Sequence, residues 1–167
     1  MKQITIQPLT AAHWSDAARI YEAGIATGNA TFQTEAPSWE AWNKAHRPDC
    51  RLVALCEGEV AGWAALSSVS SRPVYAGVAE VSIYVDAAFR GQGVGNCLMK
   101  ALIEESEREG VWTLQSGVFP ENAASMRLHQ KHGFRTIGLK EKIGKMHSVW
   151  RDVAMLERRS RVTGIDD

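Results

Sequence analysis

The sequence carries no surplus of either charge: nineteen Lys and Arg stand against nineteen Asp and Glu, for a formal net charge of zero. A polyanion binder needs a basic excess for its phosphate contacts, so the composition argues against nucleic acid as a partner. Long apolar runs are missing too. No stretch reaches the roughly eighteen residues of a membrane span, and residues 1–7, followed by Pro8, lack the hydrophobic centre of a signal peptide. Cysteine is scarce: Cys50, Cys56 and Cys97 are an odd set without Cys-x-x-Cys spacing. That pattern indicates neither a disulfide framework nor a metal site, and a reducing cytoplasm is the expected compartment.

What is present is an ordinary globular composition, 45% hydrophobic and 23% charged, in 167 residues. That length suits one domain with a sizeable core, expected over residues 1–160 with a polar tail at 161–167. No repeat or charge block interrupts it. Strand and helix patterns alternate, so the expected class is α/β. Residues 2–7 alternate as a strand with Ile4 and Ile6 on one face. Residues 9–25 read as a helix, with Trp14, Ala17, Ala18 and Tyr21 at helical spacing. Ser38 caps a short helix running to Arg47. Residues 51–57 and 60–67 flank Glu57-Gly58-Glu59 as a tight hairpin. In the strand at 80–85, Val81, Ile83 and Val85 share one face, and Glu80, Ser82 and Tyr84 the other. A glycine-rich turn then enters a helix ending near Gly110, with Val94, Leu98, Ala101 and Leu102 as its apolar stripe. A strand at 112–118 precedes a helix at 122–132, closed by Gly133 with Phe134 against its last turn. Strands at 134–139 and 149–156 finish the pattern, and residues 157–167 are expected to fray.

The turn Arg90-Gly91-Gln92-Gly93-Val94-Gly95 invites an anion, because glycines bring backbone amides close and a helix N-terminus adds its dipole. A phosphate-binding Walker loop needs Gly-Lys-Ser/Thr, and Asn96-Cys97 stands there instead. A dinucleotide fingerprint needs its third glycine one position later. A helix start without ligand is the remaining plain reading of the loop alone.

The surroundings add more. The strand Ala79-Glu80-Val81-Ser82-Ile83-Tyr84-Val85 before the loop, and Asn122-Ala-Ala-Ser125-Met-Arg127-Leu-His129 followed by Gly133-Phe134, resemble two signature segments of the GNAT superfamily of N-acetyltransferases. The resemblance covers most of the chain and is closest to the phosphinothricin and methionine sulfoximine acetyltransferase group. Asn29-Ala-Thr-Phe32-Gln-Thr34-Glu35, Arg72-x-x-Tyr75 and Trp150-x-Asp152-Val153 carry that narrower likeness. It implies a GNAT fold: a mixed, mostly antiparallel sheet splayed at the strand that meets acetyl-CoA, with helices on both faces. It also implies acetyl-CoA as cosubstrate, no metal, and a homodimer.

The same resemblance assigns roles. The backbone of Ile83, Tyr84 and Val85 would pair with the pantetheine arm and polarise the thioester carbonyl. Gly91, Gln92, Gly93, Val94, Gly95 and Asn96 would cradle the pyrophosphate through their amides, with Arg90 adding charge or lying in solvent. Asn122 would cap its helix while Asn122 and Ser125 hold the coenzyme arm. Glu80 is a surface carboxylate or, by the resemblance, the general base for the amine. His129 lies two helical turns after Asn122 on the same face, and the resemblance makes it an acid/base group. His132, beside Gly133, suits only a helix end. Arg72 and Tyr75 would hold a substrate carboxylate and Phe32 would wall the pocket; otherwise Arg72 is surface and Phe32 core.

One segment departs from the group. Lys145-Met-His147-Ser-Val-Trp150 lacks the glycine of a Lys-x-Gly-x-Trp pattern and has one extra residue, which bears on acceptor choice. The expected activity is acetylation of a small amino acid or analogue. The rivals are another acceptor (polyamine, aminoglycoside or protein N-terminus) and a regulatory module that binds acyl-CoA without turnover.

Overall fold

The computed structural model describes residues 2–166. Met1 and Asp167, the outer ends of the expected domain and tail, lie outside the described residues. Four strands begin the sheet, β1 (Ile4–Pro8), β2 (Arg51–Cys56), β3 (Glu59–Ser68) and β4 (Val78–Val85), each antiparallel to the next. β5 (Thr113–Val118) joins β4 in parallel, and β6 (Arg135–Met146) and β7 (Val149–Arg159) close the order β1-β2-β3-β4-β5-β7-β6. The expected tight hairpin between β2 and β3 turns on two residues, Glu57 and Gly58, at φ 52 and 86, with Glu59 already in β3.

Helices α1 (Trp14–Ala26), α2 (Trp39–Ala45), α3 (Val94–Arg108) and α4 (Ala123–Lys131) complete the chain. The alternation in β4 divides two cores. Val81, Ile83 and Val85 pack with Val94, Leu98 and Leu102 of α3. Tyr84 turns the other way, into a core with α1, α2 and Trp63. Trp14, Trp39, Trp42 and Trp63 all pack against one another in that second core, with Trp63 and Tyr84 ring centroids 5.0 Å apart, so four of the six tryptophans are packing residues.

Several boundaries differ from the sequence expectation. The helix expected over 9–25 starts at Trp14, because Thr10 and His13 exchange capping bonds around a 3-10 turn at Ala11–His13 and the Leu9 amide donates to the Arg51 carbonyl (2.9 Å). The short helix stops at Ala45; the His46 backbone is extended. The strand expected to end at residue 139 runs on to Met146. Residues 157–159 extend β7 instead of fraying. Beyond them, Ser160 Oγ donates to Glu107 (2.9 Å) and Arg159 donates to the Thr163 carbonyl (3.1 Å).

Candidate active site

β4 and β5 pair only at Val78–Thr113, Ala79–Leu114 and Glu80–Gln115. Beyond Glu80 they part. β4 keeps its bonds to β3 as far as Val85, and β5 keeps its bonds to β7 as far as Val118. Each strand therefore presents one unpaired edge, with backbone amides and carbonyls that want partners. The slot between them is a cavity of about 130 Å³ whose walls include Ile83, Tyr84, Asn122, Ser125 and His129. A larger cavity of about 510 Å³ adjoins it, with Phe32, Gln115, Ile143 and Met155 in its lining. Glu80 lines both.

His129 is the buried imidazole of the slot, 1% exposed. Its Nδ1 lies 2.7 Å from the Ser125 carbonyl, an acceptor only, so Nδ1 carries the hydrogen and donates it. Nε2 is then a bare lone pair, buried and without a hydrogen-bond partner. Burial, aided by nearby His132, pulls the His129 pKa below the usual imidazole value, against the Ser125 hydrogen bond. The helix end fixes the ring. Gly133, at φ 87, lets the Phe134 amide bond to the His129 carbonyl (3.1 Å) and the Gly133 amide to the Gln130 carbonyl (3.2 Å). That turn sets the Phe134 ring edge-on to His129 at 5.0 Å.

The glycine-rich turn leaves its backbone amides free. Gly91 and Gly93 hold φ 74 and 87, and among the described residues no protein acceptor takes the amides of Gly91, Gln92, Gly93, Val94, Gly95 or Asn96. The first helical bond comes only at Cys97, to the Gly93 carbonyl (3.0 Å). The Val94 side chain itself is buried in the core. Asn96 Oδ1 accepts from His132 Nε2 (3.1 Å), which ties the turn to the end of α4. Arg90 is exposed at the mouth. Unpaired strand edge, bare Nε2 and free amides fit a thioester, a pantetheine arm and a pyrophosphate.

Phe32 lines the larger cavity, with its ring against Phe119 at 5.0 Å. Val85 lies in the core and lines neither cavity. Arg72 and Tyr75 are exposed and stacked on each other (5.5 Å) in the 3-10 turn that precedes β4, and neither lines a cavity. Other residues escaped the sequence reading. Arg151 donates to the Gly28 carbonyl (2.8 Å) and Asn29 Oδ1 (2.9 Å) and covers the Phe119 ring at 4.0 Å. With Asn122, which donates to the Asn29 carbonyl (3.1 Å), it pins the loop carrying Thr31 and Phe32. Lys140 and Ile143 enter the larger cavity from β6, beyond the expected strand end.

Residues 14–134 match the model of the Acetyltransferase (GNAT) family. The chain belongs to the GNAT acetyltransferase family. A phosphinothricin N-acetyltransferase of Streptomyces coelicolor is 32% identical over 136 residues, 77% of this chain and 80% of that protein. The L-methionine sulfoximine/L-methionine sulfone acetyltransferase of Salmonella typhimurium is 32% identical over 106 residues, 64% of this chain and 62% of that protein. The crystal structure of a GNAT superfamily phosphinothricin acetyltransferase from Sinorhizobium meliloti, in complex with acetyl-CoA, superposes with a TM-score of 0.88 at 25% identity. That superposition covers 98% of this chain and 92% of the other. The acetyltransferase is thus an acetyl-CoA-dependent enzyme of the GNAT type, with the fold its motifs implied.

Proposed function

We propose that this acetyltransferase acetylates the amino group of a small amino acid or analogue, of the phosphinothricin, methionine sulfoximine or methionine sulfone type, with both substrates bound together. The observation that carries this reading is Glu80 at the junction of the slot and the larger cavity. A cavity of about 510 Å³ suits a molecule of that size. The relatives with these acceptors in their names support the class.

Acetyl-CoA supplies the acetyl group as a thioester. The open edge of β4, with Ile83, Tyr84 and Val85, holds the pantetheine arm as an added strand, and one of its amides faces the carbonyl oxygen. The amides of residues 91–96, with Arg90, hold the pyrophosphate, and Asn122 and Ser125 steady the arm. An amine with a pKa of about 8 is mostly protonated at neutral pH. Glu80, through a water, takes that proton, and the freed amine attacks the carbonyl carbon. His129 Nε2 takes the second proton as the carbon–nitrogen bond forms and returns it to the departing thiolate.

For the acceptor's α-carboxylate, the resemblance supports Arg72 and Tyr75, which stand exposed and outside both cavities, and Phe32 walls the side-chain pocket. A homodimer is part of the reading. β6 is a twelve-residue edge strand, and Ile137, Leu139, Ile143, Val149 and Trp150 are exposed on the β6–β7 hairpin, a surface that a second copy would cover. A monomer in sedimentation would overturn that part. Three free cysteines suit a cytoplasmic location, and no helix among the described residues is long and apolar enough to cross a membrane.

The test is thiol release from acetyl-CoA with a panel of amino acids, their amides and cationic amines. Turnover confined to amino acids and analogues is expected. Turnover confined to polyamines or aminoglycosides would replace the acceptor class, and coenzyme binding without turnover on any amine would leave only a regulatory module.

A further inference from the structure

The larger cavity holds a charge that the amine chemistry leaves unused. Two of its lining residues are charged: Glu80 at the slot, and Lys140. Lys140 forms no ion pair among the described residues.

Its placement is built into the strand. Lys140 pairs with Val153 and Gly144 with Arg151, so Glu141, Lys142 and Ile143 stand opposite Asp152 alone. Asp152 Oδ1 accepts the Lys142 amide at 2.7 Å and holds this bulge, in which Lys142 takes φ 45. Residues three apart on an unbroken strand point to opposite faces. The bulge re-aims the chain, so that Lys140 and Ile143 line the same cavity.

Lys140 also stands at the far end from Glu80. Glu80 pairs with Gln115, Gln115 with Glu157, and Val153, four residues before Glu157, with Lys140. Three strand spacings and four residues of rise put the two Cα atoms roughly 20 Å apart. Both residues line the cavity from exposed positions, and the space between them is wider than the two bonds separating an α-amine from its own carboxylate carbon. A group on the acceptor's Cγ stands four bonds from the amine and reaches further toward Lys140.

We propose that Lys140 is a specificity-determining residue that binds an anionic group at the end of the acceptor's side chain, so the enzyme favours γ-anionic amino acids over neutral isosteres. This rests on the acetyltransferase reading of the same cavity. Phe32, Ile143 and Met155 would cover the intervening methylenes.

Phosphinothricin and methionine sulfone form the pair for the test: nearly the same shape and the same α-carboxylate, with a negative phosphinate in one and a neutral sulfone in the other. Steady-state kcat and KM are measured for both with the wild type, K140Q and K140R. K140Q is expected to raise KM for phosphinothricin about five- to tenfold while methionine sulfone shifts by less than about twofold. KM for acetyl-CoA stays constant, and K140R recovers most of the phosphinothricin affinity. Equal losses for both acceptors, or none, would overturn the assignment while leaving the transferase reading intact. No thiol release from either acceptor by the wild type would overturn the acceptor class and this proposal together.

Discussion

The chemistry at the residue scale turns on which nitrogen of His129 carries a hydrogen. With Nδ1 donating to the Ser125 carbonyl, the neutral imidazole offers a lone pair to the slot, and burial shifts its pKa in favour of that neutral form. His129→Asn should lower kcat about a hundredfold with a much smaller change in KM for acetyl-CoA, read in initial rates. Because the pKa is depressed, the wild-type acid limb of kcat assigned to His129 should fall below the ordinary imidazole value of about 6.5. Glu80→Gln should cost turnover most at low pH, where the amine is protonated, with acetyl-CoA affinity nearly unchanged. A uniform loss across pH would remove Glu80 as the base. Residue type and spacing singled both out, a carboxylate facing away from the core valines and a histidine two helical turns from a cap, but left each open to a structural role; the chemical roles came from the family resemblance. Lys140 and Arg151 were not singled out. Lys140 owes its place to the bulge opposite Asp152, and Arg151 bonds to Gly28 and Asn29 more than a hundred residues away; no local pattern records either.

Among the elements, the β6–β7 hairpin was the least legible and the α4 closure the most. Gly133-Phe134 announced a left-handed helix end, and the bonds to His129 and Gln130 follow. β6 hid because nearly all twelve of its residues are exposed, so no apolar alternation marks it, and the bulge at 141–143 breaks whatever period remained. The segment that departs from the family pattern is a two-residue turn, His147-Ser148, at φ 48 and 66. Both residues occupy the left-handed region, where Asn-Gly is favoured in a turn of this kind. The double substitution H147N/S148G should raise stability by about 1 kcal/mol in chemical denaturation, with kcat unchanged.

At the scale of the whole molecule, three histidines behave alike. Burial is the largest cause of a lowered pKa at His46, His129 and His132. Each group's folded pKa lies below its unfolded one, so the unfolded chain binds more protons as pH falls through the ordinary imidazole range. Stability is therefore present above about pH 7 and is lost progressively toward about pH 5. A urea midpoint that stays level across that interval would contradict this. With no net charge on the chain, the proposed anion recognition rests on local groups: free amides at residues 91–96, Arg90 at the mouth and Lys140 in the larger cavity.

The short seam between β4 and β5 has a consequence for proton exchange with solvent. Past Glu80, alternate amides of residues 81–85 point away from β3 into the slot, where no strand protects them. In the free protein those amides should trade hydrogen for deuterium quickly, while their neighbours bonded to β3 stay slow. Loading with acetyl-CoA should slow the fast set without altering the rest. That alternation would report, residue by residue, that the coenzyme serves as the eighth strand of the sheet.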